Sequence, residues 1–421
     1  MRHDFHYFCK NFDNLNKIMK INASLTRKII LAFVLIIPIF GMSQVDIKIT
    51  IDNQQDSIYH LYKYRGSKTT IIDTLVPEKS IIRIKNKEKF PQGIYLLTNE
   101  NNLPLIEVLI GKDQSFSLTI NDLEDLNSAK VKGGKETEIY FKLMAKVRQY
   151  DMNIAALENE KGYFPDNYKK IDSLKKDLSA FEESMKIKKK DAFINVFINS
   201  LKRHGLKDYW DDFQLNDGRI LTYPLIDNKL ETYFKYIPID SDTINKAIDY
   251  LISRAGDCIE VRDYLIWHFY RTYYSPNYMN LDDVYIHLVD KYFLKLELEN
   301  VSESIINLMA DRANYLENLK LGAKIPEIGN LYSVNAQYIA LVFYDETCQK
   351  CAQEGRILEE IRMRHPEMTI FPVEVHSGIK ENLLSLYDIQ TTPMIYLLDN
   401  QKKIIAKRIK AGQVEQYLNM D

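Results

Sequence analysis

Two cysteines, Cys348 and Cys351, stand two residues apart in the stretch FYDETCQKCAQE, directly after an apolar run. Such a pair can ligate a metal, form a structural disulfide or exchange disulfides with another molecule. A structural zinc needs four ligands, but the chain has no second close pair, and Cys258 and His376 lie in unrelated contexts. A disulfide across so short a loop restrains little unfolded chain. The spacing therefore favours redox exchange.

The elements around the pair predict how each sulfur is used. QYIALVFY predicts a strand that is buried on both faces, and CAQEGRILEEIRMRH predicts an amphipathic helix after it. Cys348 then lies at the amino end of a helix, where unpaired N–H groups and the helix dipole favour its thiolate. Cys351 lies one turn further and points inward, and Lys350 adds a cation. We expect Cys348 to attack a disulfide and Cys351 to resolve the product.

The same alternation of elements continues through residues 323–421, which predicts an α/β unit. MTIFPVEV reads as a second buried strand, KENLLSLYDI as a short helix, TTPMIYLLD and KIIAKRI as two more strands, and VEQYLNM as a closing helix. The fold must therefore hold the cysteine loop at the edge of a sheet.

Two further segments precede this unit. Residues 44–131 contain six or so short alternating runs separated by turn residues, beginning with VDIKITID, which predicts an antiparallel β-sandwich or small barrel. Residues 135–320 show helical spacing and predict an all-α domain that opens with a long hairpin broken at YFPDN. We interpret the β segment as a packing or docking module, and the tyrosines and phenylalanines of the helical segment as core rather than a ligand groove.

The first 43 residues read as an export signal. A basic region with Lys20, Arg27 and Lys28 precedes the apolar core IILAFVLIIPIF, and small residues follow it up to Ser43. The core is shorter than the roughly 20 residues of a spanning helix, so we expect cleavage after Ser43 and no stable membrane span. Met19 makes a conventional start. Cys9 leaves with the signal, and we interpret Cys258 as a buried small hydrophobe.

Composition limits the partners. The chain has 421 residues and a formal net charge of -2, which provides no basic field for nucleic acid. Hydrophobic residues make up 46% and charged residues 27%, as in ordinary globular proteins. We expect a multidomain envelope or periplasmic protein that acts without metal or other cofactor.

Together, VFYDETCQKCAQE and IQTTPMIYLLDNQKKIIAKR resemble a thioredoxin domain of the TlpA-like envelope thiol-disulfide oxidoreductases. More weakly, the two preceding segments are similar to domains of unknown function that precede such domains. The resemblance implies a thiol-disulfide oxidoreductase that reduces protein disulfides and is itself re-reduced by an unidentified thiol donor. It also implies that Thr392 and a cis Pro393 bind the substrate chain, and that Glu354 assists proton transfer.

Three positions depart from the family. Tyr344 stands where relatives usually have tryptophan, Arg356 where they have a helix-kinking proline, and Val342 where thioredoxin has a buried acid. Glu354 is therefore the remaining candidate for proton movement. The alternative function is a non-catalytic envelope binding protein on an inherited thioredoxin scaffold, and the presence of both thiols speaks against it.

Overall fold

The computed structural model describes residues 44–54, 56–159, 165–276, 278–296, 298, 301–375 and 381–418. The expected signal segment at residues 1–43 and His376 lie outside these residues. The chain divides into two compact units by its internal contacts: the first covers the described residues up to Tyr64 together with Thr69–Ile198, and the second covers Arg65–Lys68 with Asn199–Asp421. This division into two units does not test the three domains predicted from the sequence, and their boundaries remain a prediction.

The amino-terminal strands form two four-stranded sheets, with the orders β4-β1-β7-β8 and β3-β2-β5-β6. Residues Val45, Ile47, Ile49 and Ile51 of β1 are all buried, as their alternation predicts. The strands are β1 (Val45–Ile51), β2 (Tyr59–Arg65), β3 (Lys68–Leu75), β4 (Ile82–Asn86), β5 (Gly93–Thr98), β6 (Pro104–Ile110), β7 (Ser115–Ile120) and β8 (Lys130–Lys132).

One strand pair departs from the antiparallel prediction. β1 and β7 run parallel, from Asp46 beside Ser115 to Ile51 beside Ile120. A parallel pair needs a long crossover between its strands, and five intervening strands provide it here. The periodicity of β1 reports which face is buried and carries no information on the direction of its neighbour, so the sequence could not reveal this pairing. The packing of the two sheets as a sandwich remains a prediction.

The described part of the chain between residues 135 and 320 contains eight α-helices and no strand. None of the described helices is both long and apolar enough to cross a membrane. The helices are α1 (Lys135–Asn159), α2 (Pro165–Met185), α3 (Phe193–Leu201), α4 (Leu225–Tyr236), α5 (Ser241–Arg254), α6 (Ile259–Tyr273), α7 (Asp282–Leu288, continued by a π-helical turn at Val289–Phe293) and α8 (Glu303–Glu317).

The carboxy-terminal sheet has the order β10-β9-β11-β12. β9 and β10 are parallel and joined through α9, whereas β11 runs antiparallel to both β9 and β12. These elements are β9 (Tyr338–Tyr344), α9 (Gln349–Arg364), β10 (Met368–Glu374), α10 (Glu381–Leu386), β11 (Met394–Asp399), β12 (Ile404–Lys407) and α11 (Ala411–Leu418).

Burial in this sheet follows strand position. The first six residues of β9 are buried, which confirms the central strand predicted from its continuous apolar run. β10 is a strand as predicted, but only Met368 is fully buried, so its prediction as a buried strand is wrong. β10 lies at the sheet edge, where Pro372 is tolerated because no further strand needs its missing N–H.

Buried charges join the helices of the second unit to this sheet. The Arg312 guanidinium on α8 binds both carboxylate oxygens of Asp388, at 2.8 and 3.2 Å. Asp282 at the start of α7 pairs with Lys407 and Arg408 at the end of β12. The Lys407 ammonium also donates to the carbonyl oxygen of Leu319. Side chains buried this deeply require such partners, so the pairs define where these elements meet.

Candidate active site

The loop between β9 and α9 is shaped by Asp345. Its carboxylate accepts hydrogen bonds from the backbone N–H and the hydroxyl of Thr347, at 2.7 and 2.6 Å. Its carbonyl oxygen accepts from the Cys348 N–H at 3.1 Å. An aspartate that binds backbone two residues further on closes a tight turn. The turn delivers Cys348 to the amino end of α9.

The Cys348 sulfur caps helix α9. Cys348 is the N-cap residue, and its Sγ accepts the Cys351 N–H at 3.1 Å, as a serine or aspartate oxygen would at this position. A hydrogen bond from the Cys351 thiol, with backbone N–H groups of Cys351 and Lys350, holds the pKa of the Cys348 thiol below its ordinary value. Lys350 thus contributes through its backbone N–H.

Cys351 has the opposite environment. Its residue surface is only 7% exposed, whereas Cys348 is half-buried, and both are present as thiols. Burial raises the pKa of the Cys351 thiol, and the hydrogen bond that it donates to Cys348 raises it further. The outer sulfur is therefore the more acidic of the two. This is the order that attack by Cys348 and resolution by Cys351 require.

The loop before β11 lies against this pair. The Thr392–Pro393 peptide bond is cis, as the resemblance predicts. The Cys348 Sγ lies 3.9 Å from the Thr392 carbonyl oxygen. Pro393 and Thr391 line a cavity of about 240 Å³ together with Lys350 and Glu354 of α9. The site thus combines two thiols with a half-buried loop backbone, and Pro393 of that loop also lines the cavity.

Glu354 lies on α9 three residues after Cys351, and its carboxylate reaches helix α11. Its Oε2 accepts the Ala411 N–H at 2.5 Å, which satisfies one of the unpaired donors at the start of that helix. The same side chain lines the cavity beside Pro393. The structure therefore assigns Glu354 a capping contact that its position in the sequence did not reveal.

The comparisons with known proteins cover parts of the chain. A thioredoxin-like protein from Bacteroides caccae is 18% identical, covers 53% of this chain and 92% of its own, and has a TM-score of 0.42. A domain of a possible thiol-disulfide isomerase from Cytophaga hutchinsonii is 28% identical over 24% of this chain and 91% of its own, with a TM-score of 0.21. The thioredoxin domain of a Bacteroides vulgatus thiol-disulfide oxidoreductase is 20% identical over 24% and 99%, with a TM-score of 0.21.

No protein-family profile and no curated protein matches the sequence. The fold assignment rests on this chain's own topology: a β-α-β unit followed by two antiparallel strands and a helix, with the cysteine pair opening the first helix and a cis-proline opening the third strand. The carboxy-terminal segment has a thioredoxin-like fold.

The three departures from the family pattern have structural counterparts. Val342 is 7% exposed on β9 and packs in the hydrophobic core, in agreement with its apolar type. Arg356 is exposed, and α9 runs through this position without a break over its 16 residues, Gln349–Arg364. Tyr344 ends β9 half-buried. Each position is filled by a residue that suits its surroundings, so the departures leave the fold intact.

A buried ion pair next to the cis-proline loop was not predicted from the sequence. Asp388 is 6% exposed, binds Arg312 and also accepts from the Gln390 side chain at 3.2 Å. The Arg312 guanidinium lies over the rings of Tyr274 and Tyr285, 4.0 and 4.6 Å from their centroids. Arg312 and Asp388 are 76 positions apart, and neither belongs to a local motif. No pattern in the sequence pointed to this pair.

A second cavity, of about 500 Å³, lies in the second unit and shares no lining residue with the cavity that Pro393 lines. Its polar wall is centred on Asp227, which accepts hydrogen bonds from the Ser67 N–H, the Tyr264 hydroxyl and His268. Burial alone would raise the pKa of Asp227, but these donors outweigh it and hold the pKa far below its usual range. Because these donors already surround the carboxylate, we interpret the cluster as structural.

Cys258 differs from its prediction. It is half-exposed at the N-cap position of α6, rather than buried as a small hydrophobe. Within the described ranges, no three histidine, cysteine, aspartate or glutamate side chains are arranged to hold a metal ion.

Proposed function

We propose that this protein is a cell-envelope thiol-disulfide oxidoreductase that reduces protein disulfides. The observation that carries the proposal is the Cys348 sulfur at the start of α9, accepting the Cys351 N–H at 3.1 Å while Cys351 is buried behind it. Thiolate is the nucleophile in disulfide exchange, and this arrangement favours it at the accessible sulfur.

In the proposed reaction, the Cys348 thiolate attacks one sulfur of a substrate disulfide. A mixed disulfide forms, and the other substrate sulfur leaves as a thiolate that takes up a proton. Cys351 then loses its proton and attacks the Cys348 sulfur, which releases the second substrate thiol and leaves a Cys348–Cys351 disulfide. The substrate gains two electrons, and a thiol donor restores the dithiol.

Thr392, Pro393 and Glu354 complete the proposed site. The loop of Thr392 and Pro393 offers backbone to a substrate chain, with the Thr392 carbonyl oxygen 3.9 Å from the Cys348 Sγ. One Glu354 oxygen is held by Ala411, which leaves Oε1 to accept the proton that Cys351 loses. Export of the protein and its reducing direction follow from the sequence pattern and the family resemblance.

Insulin reduction by the mature protein tests this function. We expect thiol-dependent reduction that is lost on Cys348→Ser, whereas Cys258→Ser, the matched change at the remaining cysteine of the mature chain, leaves it unchanged. Activity that persists undiminished in Cys348→Ser would refute the assignment.

Covalent trapping separates an enzyme from a binding protein. The Cys351→Ser variant lacks the resolving thiol, so we expect it to accumulate mixed disulfides with substrates that a reductant releases. A variant with serine at both positions should trap none. Partners retained equally by both variants would support the binding-protein alternative instead.

A further inference from the structure

The cavity that Pro393 lines carries an imbalance of charge. Three basic side chains, Lys350, Arg408 and Lys410, and two acidic side chains, Glu354 and Asp388, line it. The whole chain has a formal net charge of -2, so this positive excess is local to the site. Charge at the wall of a cleft selects the sign of what enters it.

Both acidic side chains are occupied by contacts within the protein. Glu354 caps α11 through the Ala411 N–H, and Asp388 is held by Arg312 through both of its carboxylate oxygens. The Arg312–Asp388 pair is deeply buried, with side-chain exposures of 12% and 6%. Arg312 therefore balances the charge of Asp388, whereas Glu354 keeps its negative charge and one uncommitted oxygen.

The three basic side chains differ in whether they already form an ion pair. Arg408 pairs with the buried Asp282. Lys350 and Lys410 are exposed, and neither forms an ion pair within the part of the chain that the structure describes. They belong to different elements, since Lys350 is in the first turn of α9 and Lys410 immediately precedes α11. Two lysine side chains without an ion pair thus line a cavity that Pro393 also lines, next in the chain to the Thr392 carbonyl 3.9 Å from the Cys348 Sγ.

We propose that this cavity selects disulfide substrates that carry an acidic side chain, aspartate or glutamate, within a few residues of the cysteine that Cys348 attacks. The inference rests on the proposed function and specifies the substrate class of the same site. An extended chain held by the Thr392–Pro393 loop passes beside this cavity, where its carboxylate meets Lys350 and Lys410. Exposed ion pairs are weak, so the selection is several-fold and sensitive to salt.

Three disulfide-bonded peptides test the proposal. They are identical except for glutamate, glutamine or lysine two residues after the target cysteine, and bis(2-hydroxyethyl) disulfide serves as a small neutral substrate. At low salt we expect kcat/KM to fall in the order glutamate, glutamine, lysine, with a total ratio of about 5 to 20. The difference should lie mainly in KM and shrink at high salt.

Matched variants locate the effect. Lys410→Gln should reduce the glutamate-to-lysine ratio by about 2- to 5-fold, and Lys410→Glu should bring it below that of Lys410→Gln. Lys403→Gln removes the same charge in the turn between β11 and β12, at the opposite end of the sheet from Pro393, and should leave the ratio unchanged. Rates with bis(2-hydroxyethyl) disulfide verify that each variant is folded and active.

The outcomes separate this inference from the function beneath it. Equal kcat/KM for the three peptides, with Cys348-dependent reduction of bis(2-hydroxyethyl) disulfide, would overturn the acidic preference and leave the oxidoreductase proposal standing. If Lys403→Gln alters the preference as much as Lys410→Gln does, the preference arises from the overall charge of the protein. The assignment of the preference to this cavity is then wrong. Absence of Cys348-dependent reduction of every substrate would overturn both proposals.

Discussion

At the scale of single residues, the helix amino terminus gives two identical side chains different acidities. Cys348 lies outside the first turn of α9 and receives hydrogen bonds, whereas Cys351 lies inside it and is buried. The sulfur of Cys348 occupies the place of a capping oxygen, so its negative form is the one that the backbone stabilises. Position on the helix alone gives the two thiols their different acidities.

The Cys351 thiol is the largest cause that lowers the pKa of Cys348. In a Cys258→Ser background, we expect Cys351→Ala to raise the Cys348 pKa, because the thiol donor is lost while the backbone N–H groups and Thr392 remain. The pH dependence of iodoacetamide alkylation measures this directly. The background protein with Cys351 intact is the control, and an unchanged alkylation profile would contradict the hydrogen bond.

At the scale of elements, α9 and α11 are linked at both ends of α9. Glu354 near its start caps α11, and His365 at its end contacts Glu415 of α11. Arg364 pairs with the same glutamate at 3.1 Å. Helix ends leave unpaired backbone groups, and contacts of this kind also set how neighbouring helices are placed.

Glu354 has separable structural and chemical contributions. Glu354→Gln retains an oxygen for the Ala411 N–H, whereas Glu354→Ala does not, so we expect only alanine to lower the free energy of unfolding, by about 0.5 to 2 kcal/mol. Chemical denaturation measures this loss.

If Glu354 carries the proposed proton, turnover should fall in both variants. A full rate in Glu354→Gln, with reduced stability only in Glu354→Ala, would restrict this residue to capping.

His365 makes stability dependent on pH. Its two ring nitrogens lie 3.0 Å from Glu367 and 3.1 Å from Glu415, so only the doubly protonated ring donates to both. Hydrogen bonds to Glu367 and then Glu415 raise the pKa of His365 above 6.5, and the pKa of each glutamate is lowered from 4.5. The histidine contribution is complete below pH 6.5 and disappears as pH rises through the folded pKa; the glutamate contributions disappear as pH falls below 4.5.

We therefore expect the free energy of unfolding to decrease as pH rises above 6.5, and His365→Gln to remove much of that decrease. Denaturant midpoints measured across this range for both proteins give the comparison. The same slope in His365→Gln would show that the titrating group lies elsewhere.

At the scale of the whole molecule, the second unit joins helices α4 to α8 with the thioredoxin-like segment. Its described contacts across these parts include two buried charge groups, Arg312 with Asp388 and Asp282 with Lys407 and Arg408. Asp388 accepts a hydrogen bond from the side chain of Gln390, which lies three residues before the cis-proline. These contacts connect the helical part to the loop that borders the candidate site.

Breaking one partner of a buried pair leaves the other charge without compensation. We expect Arg312→Met or Asp388→Asn to lower the free energy of unfolding by about 3 to 5 kcal/mol, and the double variant to lose less than the sum of the two. Asparagine is suited to position 388 because Asp388 has a positive φ of 48°. Chemical denaturation of the four proteins completes the cycle.

The exposed pair Arg362–Glu359 on α9 is the control, with side-chain exposures of 49% and 52%. Arg362→Met should change the free energy of unfolding by about 0.5 kcal/mol or less. Additive losses at Arg312 and Asp388 would contradict coupling between them.

Sequence reasoning recovered the features that depend on neighbouring residues. The burial of β9, the helix after it, the capping position of Cys348 and the alternation in β1 all follow from local periodicity. It overestimated the burial of β10, because an apolar run does not distinguish a central strand from an edge strand. It also left β2 and β8 unassigned, because the tyrosines, histidine, lysine and arginine of β2 obscure its alternation and β8 has only three residues.

The sequence by itself determined the chemistry that this chain can offer: two thiols one helical turn apart, at a strand-to-helix junction, with a proline loop downstream. Only the tertiary structure decided the partners. Glu354 with Ala411, Arg312 with Asp388 and β1 beside β7 join residues that are 57 or more positions apart. Local preferences act over a few residues, whereas such pairs are selected by the requirement that every buried charge and backbone group find a partner when the whole chain packs.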